Sequence, residues 1–147
     1  MEGLLTSENF KEFIKEIVSD NYLNIRQLEA GLKKHLNLIS KQINLGQLSS
    51  IYIAPPTPQN PEGIKVFNIL FYSPDGFGSE PYEKNYGTGE GGILTLTFNT
   101  CGEKEWTDEE LKELDVIADI IYILSSKVRV TMKVKEMSDV ISQLSQR

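Results

Sequence analysis

Residues 106 to 144 constrain the fold more than any other part of the chain, because they carry the signals of one long helix. Thr107 and Glu110 have the spacing of a capping box, in which each side chain accepts a hydrogen bond from the backbone amide of the other residue. Trp106 before the cap and Leu111 beyond it are spaced to pack together as a hydrophobic staple. The sequence therefore predicts that a helix begins at Thr107.

The middle of this predicted helix is apolar on most of its sides. Two sets of apolar residues interleave there, and a helix that is apolar all round must be covered on more than one side. We expect one side to pack on the sheet of its own domain and another on a second copy of the chain or a neighbouring helix. The first set, at helical spacing, is Leu114, Ile117, Ala118, Ile121 and Leu124; the second is Val116, Ile120, Tyr122 and Ile123.

Further along, apolar residues recur at spacings of four, three, four and three, which is the pattern of a short heptad seam. We predict that this seam is a dimer interface. The alternative is a strand, because residues 128–135 also alternate between apolar and polar side chains. Helix is favoured because no glycine or proline interrupts the chain after Gly102. The predicted interface residues are Val130, Val134, Met137, Ile141 and Leu144, and the basic residues Lys127, Arg129, Lys133 and Lys135 are interpreted as a solvated helix face.

Composition limits the function classes. A chain of 147 residues is long enough for one domain with a real core. The net charge of −6 disfavours a general binder of nucleic acid or of anionic membranes. Cys101 is the only cysteine, so no intrachain disulfide can form. The longest apolar run, 120–124, is too short for a membrane span or a secretory signal, and we expect a soluble, cytoplasmic protein.

Two amphipathic helices are predicted before the sheet. Ser7 is expected to cap the first, and Asn24 with Gln27 forms a second capping box. We expect the second helix to continue until Gly46 ends it in the left-handed conformation. His35, next to its apolar face, is interpreted as a helix-flank side chain rather than a ligand or base. The two apolar faces are Phe10, Phe13, Ile14, Ile17 and Val18, and Leu28, Leu32, Leu36, Ile39 and Ile43.

Strands are predicted at 47–54, 64–72 and 93–100, from their apolar and β-branched content. The glycine-rich stretch 73–92 is expected to be irregular and to fold over one end of the sheet. The fold class is therefore α+β, with a central antiparallel sheet and the helices packed mainly on one face. Five aromatic residues could line a small-molecule pocket under this loop, although the alternative, that they close the core, is preferred: Phe71, Tyr72, Phe77, Tyr82 and Tyr86.

No cofactor, metal or enzymatic activity is predicted. Residues 87–92 match the G-x-G-x-x-G pattern, but a strand rather than a helix is expected to follow, so no helix N-terminus would meet a phosphate. Glu109 and Glu113 lie one helical turn apart, yet acids at a helix start are explained by the helix dipole. Cys101 has no second cysteine to resolve an oxidised intermediate.

The element order and the segment Glu105–Leu111 resemble a GAF domain. In that family a late strand passes through a polar turn into a terminal helix that begins with an aromatic residue, a Thr or Ser, and acids. The resemblance spans about residues 24–135, and it implies a GAF-like sheet and a sensory or regulatory role. The segment between Tyr72 and Ile93 is shorter than in the family, so the resemblance is to a minimal, shortened variant.

The last ten residues are similar to the entry of a GGDEF domain, which commonly reads T-D-x-L-T-G-L-x-N-R. The matching positions here are Asp139, Ile141, Ser142, Leu144 and Arg147. The resemblance implies a regulatory domain of a cyclic-di-GMP signalling protein, with an output domain in cis. The expected division is an N-terminal helix at 1–23, a GAF-like domain at 24–128 and a helical linker at 129–147. A pocket-bearing sensor and a free-standing dimeric adaptor are the alternatives.

Overall fold

The computed structural model describes residues 7–56, 58, 61–88 and 91–145. Two short helices come first, two β-hairpins follow, and one long helix ends the described chain. The elements are α1 (Glu8–Ser19), α2 (Ile25–Leu36), β1 (Leu45–Ile53), β2 (Ile64–Leu70), β3 (Tyr82–Gly87), β4 (Ile93–Thr100) and α3 (Asp108–Ser145).

The four strands form one antiparallel sheet in the order β2-β1-β4-β3. Within each hairpin the two strands pair with one another. The two hairpins join where β1 pairs with β4, with Leu48 opposite Phe98. Side chains alternate between a buried and an exposed face, as expected when helices cover one side of a sheet. The predicted α+β class is therefore confirmed, with α3 packed on the sheet.

The expectation that 73–92 is irregular was wrong, because this stretch contains β3. Tyr82, Lys84 and Tyr86 alternate with exposed residues and lie opposite the buried residues of β4. Charged and amide side chains made the segment look unlike a strand, whereas pairing with a buried neighbour decides its conformation. As predicted, the glycine-rich turn leads into a strand, with the Thr88 amide bonded to the Gly92 carbonyl at 2.9 Å.

Helix α2 ends earlier than predicted. It stops at Leu36, and turns continue to Asn44, whose φ of 57° is the left-handed conformation expected for Gly46. Gly46 instead belongs to β1, where an added Cβ would lie 2.7 Å from the Thr100 carbonyl oxygen. Its role is close approach of two strands rather than helix termination. All five predicted apolar residues, including Ile39 and Ile43 in the turns, are nonetheless fully buried.

His35 is buried rather than lying on the flank of α2. Its Nε2 is 3.1 Å from Oδ2 of Asp20, the residue that caps the C-terminus of α1. The pair therefore ties the end of α1 to α2. On α1, Ser7 caps the helix through the Phe10 amide, while Val18 is exposed instead of joining the predicted apolar face.

The start of α3 agrees with the sequence. The Thr107 amide donates to Glu110 Oε1 at 2.9 Å, and the Glu110 amide donates to Thr107 Oγ1 at 3.1 Å. Residues 128–135 are helical, so the strand alternative is wrong. The basic stretch is only partly a solvated face, because Arg129 is half-buried and lies 4.4 Å above the ring of Tyr52.

Candidate functional site

Helix α3 has two apolar faces, and only one of them reaches the core. Ile121 and Val128 are buried, whereas Val130 is exposed. At about 100° per residue, the nine residues from Ile121 to Val130 turn the helix through about two and a half turns. The side chains of Ile121 and Val130 therefore point in opposite directions, and the residues on the same side of the helix as Val130 cannot also pack on the sheet.

The face that points away from the core is a continuous apolar line, which we call the seam. Its members are 57–61% exposed, although they are large hydrophobic side chains. Ile123, at 63% exposure, and the exposed Lys127 extend the same spacing of four and three toward the N-terminus. The seam consists of the predicted interface residues Val130, Val134, Met137, Ile141 and Leu144.

The seam lies on a part of α3 that continues beyond the core. Val128 is the last fully buried residue, and Met132 is the last apolar residue packed against the core. From there to Ser145 the helix runs for about another 20 Å, at about 1.5 Å per residue. Lys133 makes an interaction here, but the described residues otherwise give this segment little support beyond its own backbone hydrogen bonds. An isolated helix of this length is marginal in water. A surface that pairs with it would add the missing support.

Nearer its start, α3 is held to the edge strand β3 by a polar cluster, which we call the clasp. Tyr86 Oη donates to Asp119 Oδ1 at 2.7 Å, and the Lys84 ammonium lies 3.1 Å from the same oxygen. Tyr82 Oη donates to Asp115 Oδ1, and Lys84 also approaches that oxygen at 3.5 Å. The clasp thus joins one face of β3 to two successive turns of α3.

Apolar contact supports the clasp. The ring of Tyr86 stacks on Tyr122 of α3 with centroids 4.5 Å apart, and Tyr82 lies 6.2 Å from Phe98. Burial, followed by the hydrogen bond to Asp119, raises the pKa of Tyr86 above its ordinary value of 10.0. The hydrogen bond from Tyr86, followed by that from Lys84, lowers the pKa of Asp119 below 3.8. At neutral pH the clasp therefore joins the neutral Tyr86 hydroxyl to the charged Asp119 carboxylate.

The structure separates the five aromatic residues predicted to line a pocket. Tyr82 and Tyr86 belong to the clasp and face α3. Phe71 is buried just beyond β2, whereas Tyr72 is 78% exposed. Phe77 forms an isolated β-bridge with Cys101, just after the last residue of β4. This is the end of β4 that lies away from the β3–β4 turn. Three of the five residues thus lie near one end of the sheet, and two lie along its edge.

Within the described residues, no group of three or more His, Cys, Asp or Glu side chains is placed to hold a metal ion. Glu109 is exposed at the start of α3, and Glu113 is buried one turn later. Among the helices of the described chain, none is long and apolar enough to cross a bilayer.

Comparison with known protein families and with curated proteins finds no match for this chain. Sequence reasoning missed the clasp because β3 was not expected. Its signal was present in the alternation Tyr82-x-Lys84-x-Tyr86 and in Asp115 and Asp119, one turn apart on α3.

Proposed function

We propose that this chain is a non-catalytic regulatory domain that dimerises through the seam and passes a change in the position of α3 to a GGDEF-type output domain. One observation carries the proposal: an apolar seam lies on the side of α3 opposite the core, on a segment that runs past the sheet. Exposed apolar patches of this kind mark interaction sites.

A second copy of the same seam fits best as the partner. Spacings of four and three place one apolar residue from each helix into the gaps of an identical helix, so the surface is complementary to itself. Extending the spacing reaches Lys127, a charged residue at a core position. A single lysine there fixes register at a cost in stability, which suits a dimer that must change rather than one that is permanent.

The clasp supports a regulatory role. It holds α3 to β3 through hydrogen bonds and ion pairs to Asp115 and Asp119, in addition to the packing of Tyr86 on Tyr122. Small shifts or rotations of helices at subunit interfaces are a common form of switching. A change at β3 would move the same helix that carries the seam, which begins about three turns after Asp119.

The experiment is sedimentation equilibrium of the native chain and two variants. Met137→Asp introduces a charge into the seam, and we expect at least a tenfold rise in the dimer dissociation constant. Ser142→Asp introduces the same side chain at an exposed position of the same helix, off the seam, and we expect less than a twofold change.

Circular dichroism should report equal helix content for both variants at concentrations where they are monomeric. A native chain that stays monomeric well above micromolar concentration would rule out the dimer. Equal dissociation constants for Met137→Asp and Ser142→Asp would show that the copies associate through another surface.

The receiver of the signal is proposed from the resemblance of the last ten residues to the entry of a GGDEF domain. Asp139, Ile141, Ser142 and Leu144 of that match lie in α3, and Arg147 lies outside the described residues. Where a GGDEF domain follows Arg147 in frame, Met137→Asp should alter its cyclic-di-GMP output, and Lys135→Asp, at an exposed position off the seam and outside the ten matched residues, should not. Equal output from both variants would remove this part of the proposal.

A further inference from the structure

The outer edge of β2 presents backbone groups in a defined pattern. The Ala54 amide bonds to the Gly63 carbonyl at 2.6 Å, and the Phe71 amide bonds to the Gly46 carbonyl at 2.9 Å. In an antiparallel pair, residues that bond across the strands alternate with residues whose N–H and C=O groups point away. The groups of Ile64, Val66 and Asn68 therefore point outward from the sheet.

Only part of this edge is occupied. The Asn68 amide donates to Glu29 Oε2 of α2 at 2.9 Å, so α2 closes the edge there. Among the described residues, none accepts the amide hydrogens of Ile64 or Val66. Open edges are templates for pairing with another strand unless charge or a covering element protects them. On the opposite edge, β3 carries a charged residue, Glu83, at an outward position.

A groove follows the open part of the edge. It has a volume of about 270 Å³, too small for most cofactors but sufficient for a few peptide side chains. One wall is the first turn of α2, and the other is the edge of β2 with a methionine of α3. The lining residues are Asn24, Ile25, Arg26, Ile64, Val66 and Met132.

Next to the groove, the exposed face of the sheet is apolar. Ile64 and Val66 lie opposite Ile53 and Ile51 of β1, and Ile53 lies opposite Ile93 of β4. All five side chains are branched, aliphatic and 43–54% exposed. A strand added to β2 would extend this apolar face, because its alternate side chains would lie beside Ile64 and Val66.

We propose that β2 binds an extended peptide segment as an added strand, with apolar side chains at alternate positions and an acidic residue near Arg26. The open edge supplies four backbone groups, and the groove and the apolar face receive the side chains. Arg26 supplies the charge preference, because its side chain is 79% exposed although one Nη lies 3.3 Å from Glu29. A second copy fits less well, because it would bring its own Arg26 to the same groove.

The probes are three fluorescein-labelled hexapeptides that alternate threonine with valine, isoleucine or leucine and end in aspartate. Fluorescence anisotropy should detect saturable binding of at least one of them to the full chain. The same peptide with alternate amides N-methylated should bind at least tenfold more weakly, because it cannot pair with a strand. Absence of binding by all three peptides would overturn the proposal.

Val66→Pro tests the edge directly. It removes an outward N–H and leaves the bonds of β2 to β1 in place, and proline is tolerated on edge strands. Glu83→Pro makes the same change on the opposite edge, where its amide also points outward. Val66→Pro should weaken peptide binding at least tenfold, and Glu83→Pro less than twofold. Both variants should keep the circular dichroism spectrum of the native chain.

Amide exchange identifies the site independently. In the free chain, the amides of Ile64 and Val66 should exchange at least tenfold faster than that of Phe67, which pairs with Ser50. Bound peptide should slow the first two by at least tenfold, and Arg26→Glu should weaken binding several-fold. Peptide binding that Val66→Pro does not change, or a native dimer that Val66→Pro dissociates, would overturn the proposal.

Discussion

The two parts of α3 on either side of Val128 have similar apolar patterns and opposite surroundings. Before Val128, apolar side chains at helical spacing are buried against the sheet and α2. After it, side chains of the same kind and spacing are exposed. The difference lies in what each part can reach, because the sheet and α2 lie opposite the first part and contact the second only at its start, at Arg129 and Met132. Apolar periodicity therefore predicts a buried face without saying which molecule buries it.

The largest expected effect comes from truncating one side chain in each part. Ile121→Ala leaves a cavity in the core and should lower the free energy of unfolding by about 2–5 kcal/mol. Ile141→Ala should change it by less than about 0.5 kcal/mol at protein concentrations where the native chain is monomeric. Urea unfolding measures both values. Equal losses at low concentration would mean that the exposed part packs within its own subunit.

Lys127→Leu sharpens the comparison at the boundary between the two parts. It replaces a charge at a core position of the proposed dimer with an apolar residue. We expect the dimer dissociation constant to fall at least tenfold, or about 1.4 kcal/mol. Sedimentation equilibrium measures it, and Lys135→Leu, off the seam, is the control. A dimer that Lys127→Leu does not strengthen would contradict the extension of the seam to Ile123.

Thr107→Ala tests whether the start of α3 depends on its own cap. It removes the hydroxyl that accepts a hydrogen bond from the Glu110 amide, and we expect the free energy of unfolding to fall by about 1 kcal/mol. Ser145→Ala, at the other end, removes only a bond to the Ile141 carbonyl and should change little. Thermal unfolding at one protein concentration compares the two. A larger effect of Ser145→Ala would reverse the expected distribution of stability along α3.

The smallest effect is expected at the clasp. Asp119→Asn should cost about 0.2–1 kcal/mol at neutral pH, because the Asp119 side chain is 58% exposed and solvent screens its partners. Folding lowers the pKa of Asp119, so its contribution is present above the ordinary value of 3.8 and is lost as the pH falls through the lower, folded-state pKa. The difference in free energy of unfolding between the native chain and Asp119→Asn should therefore become smaller as the pH falls below about 3.8.

Urea unfolding at pH 7 and pH 3 tests this dependence. At alkaline pH the expected change has the opposite direction. Folding raises the pKa of Lys84 and Tyr86, so the stability that they contribute is present below their ordinary pKa values of 10.5 and 10.0. That stability is lost as the pH rises through their folded-state pKa values. Tyr72→Phe, which changes an exposed ring outside the clasp, is the control for the substitution itself. A difference for Asp119→Asn that stays constant between pH 7 and pH 3 would contradict the clasp.

Local signals in the sequence were sufficient where a few neighbouring residues decide the outcome. The Thr107–Glu110 capping box, the Ser7 cap and the buried faces of α1 and α2 follow from side chains three or four positions apart. Signals failed where distant residues decide. Gly46 is not a helix end, because it lies in β1 against Phe71 and Thr100, which are far along the chain. The Tyr82–Tyr86 segment is a strand because it pairs with the buried residues of β4, and its own composition does not show this pairing.

The sequence by itself determined the α+β class, the start of α3 and the spacing of its apolar residues, because these depend on local hydrogen bonding and helical periodicity. Only the tertiary structure decided which apolar residues are exposed, which tyrosines meet Asp115 and Asp119, and which edge of the sheet stays open. Those outcomes depend on where the sheet ends and which helix crosses it. Burial depends on the folded or assembled molecule. The spacing of apolar residues along the chain limits which side chains can be buried together, but it does not determine which surface covers them.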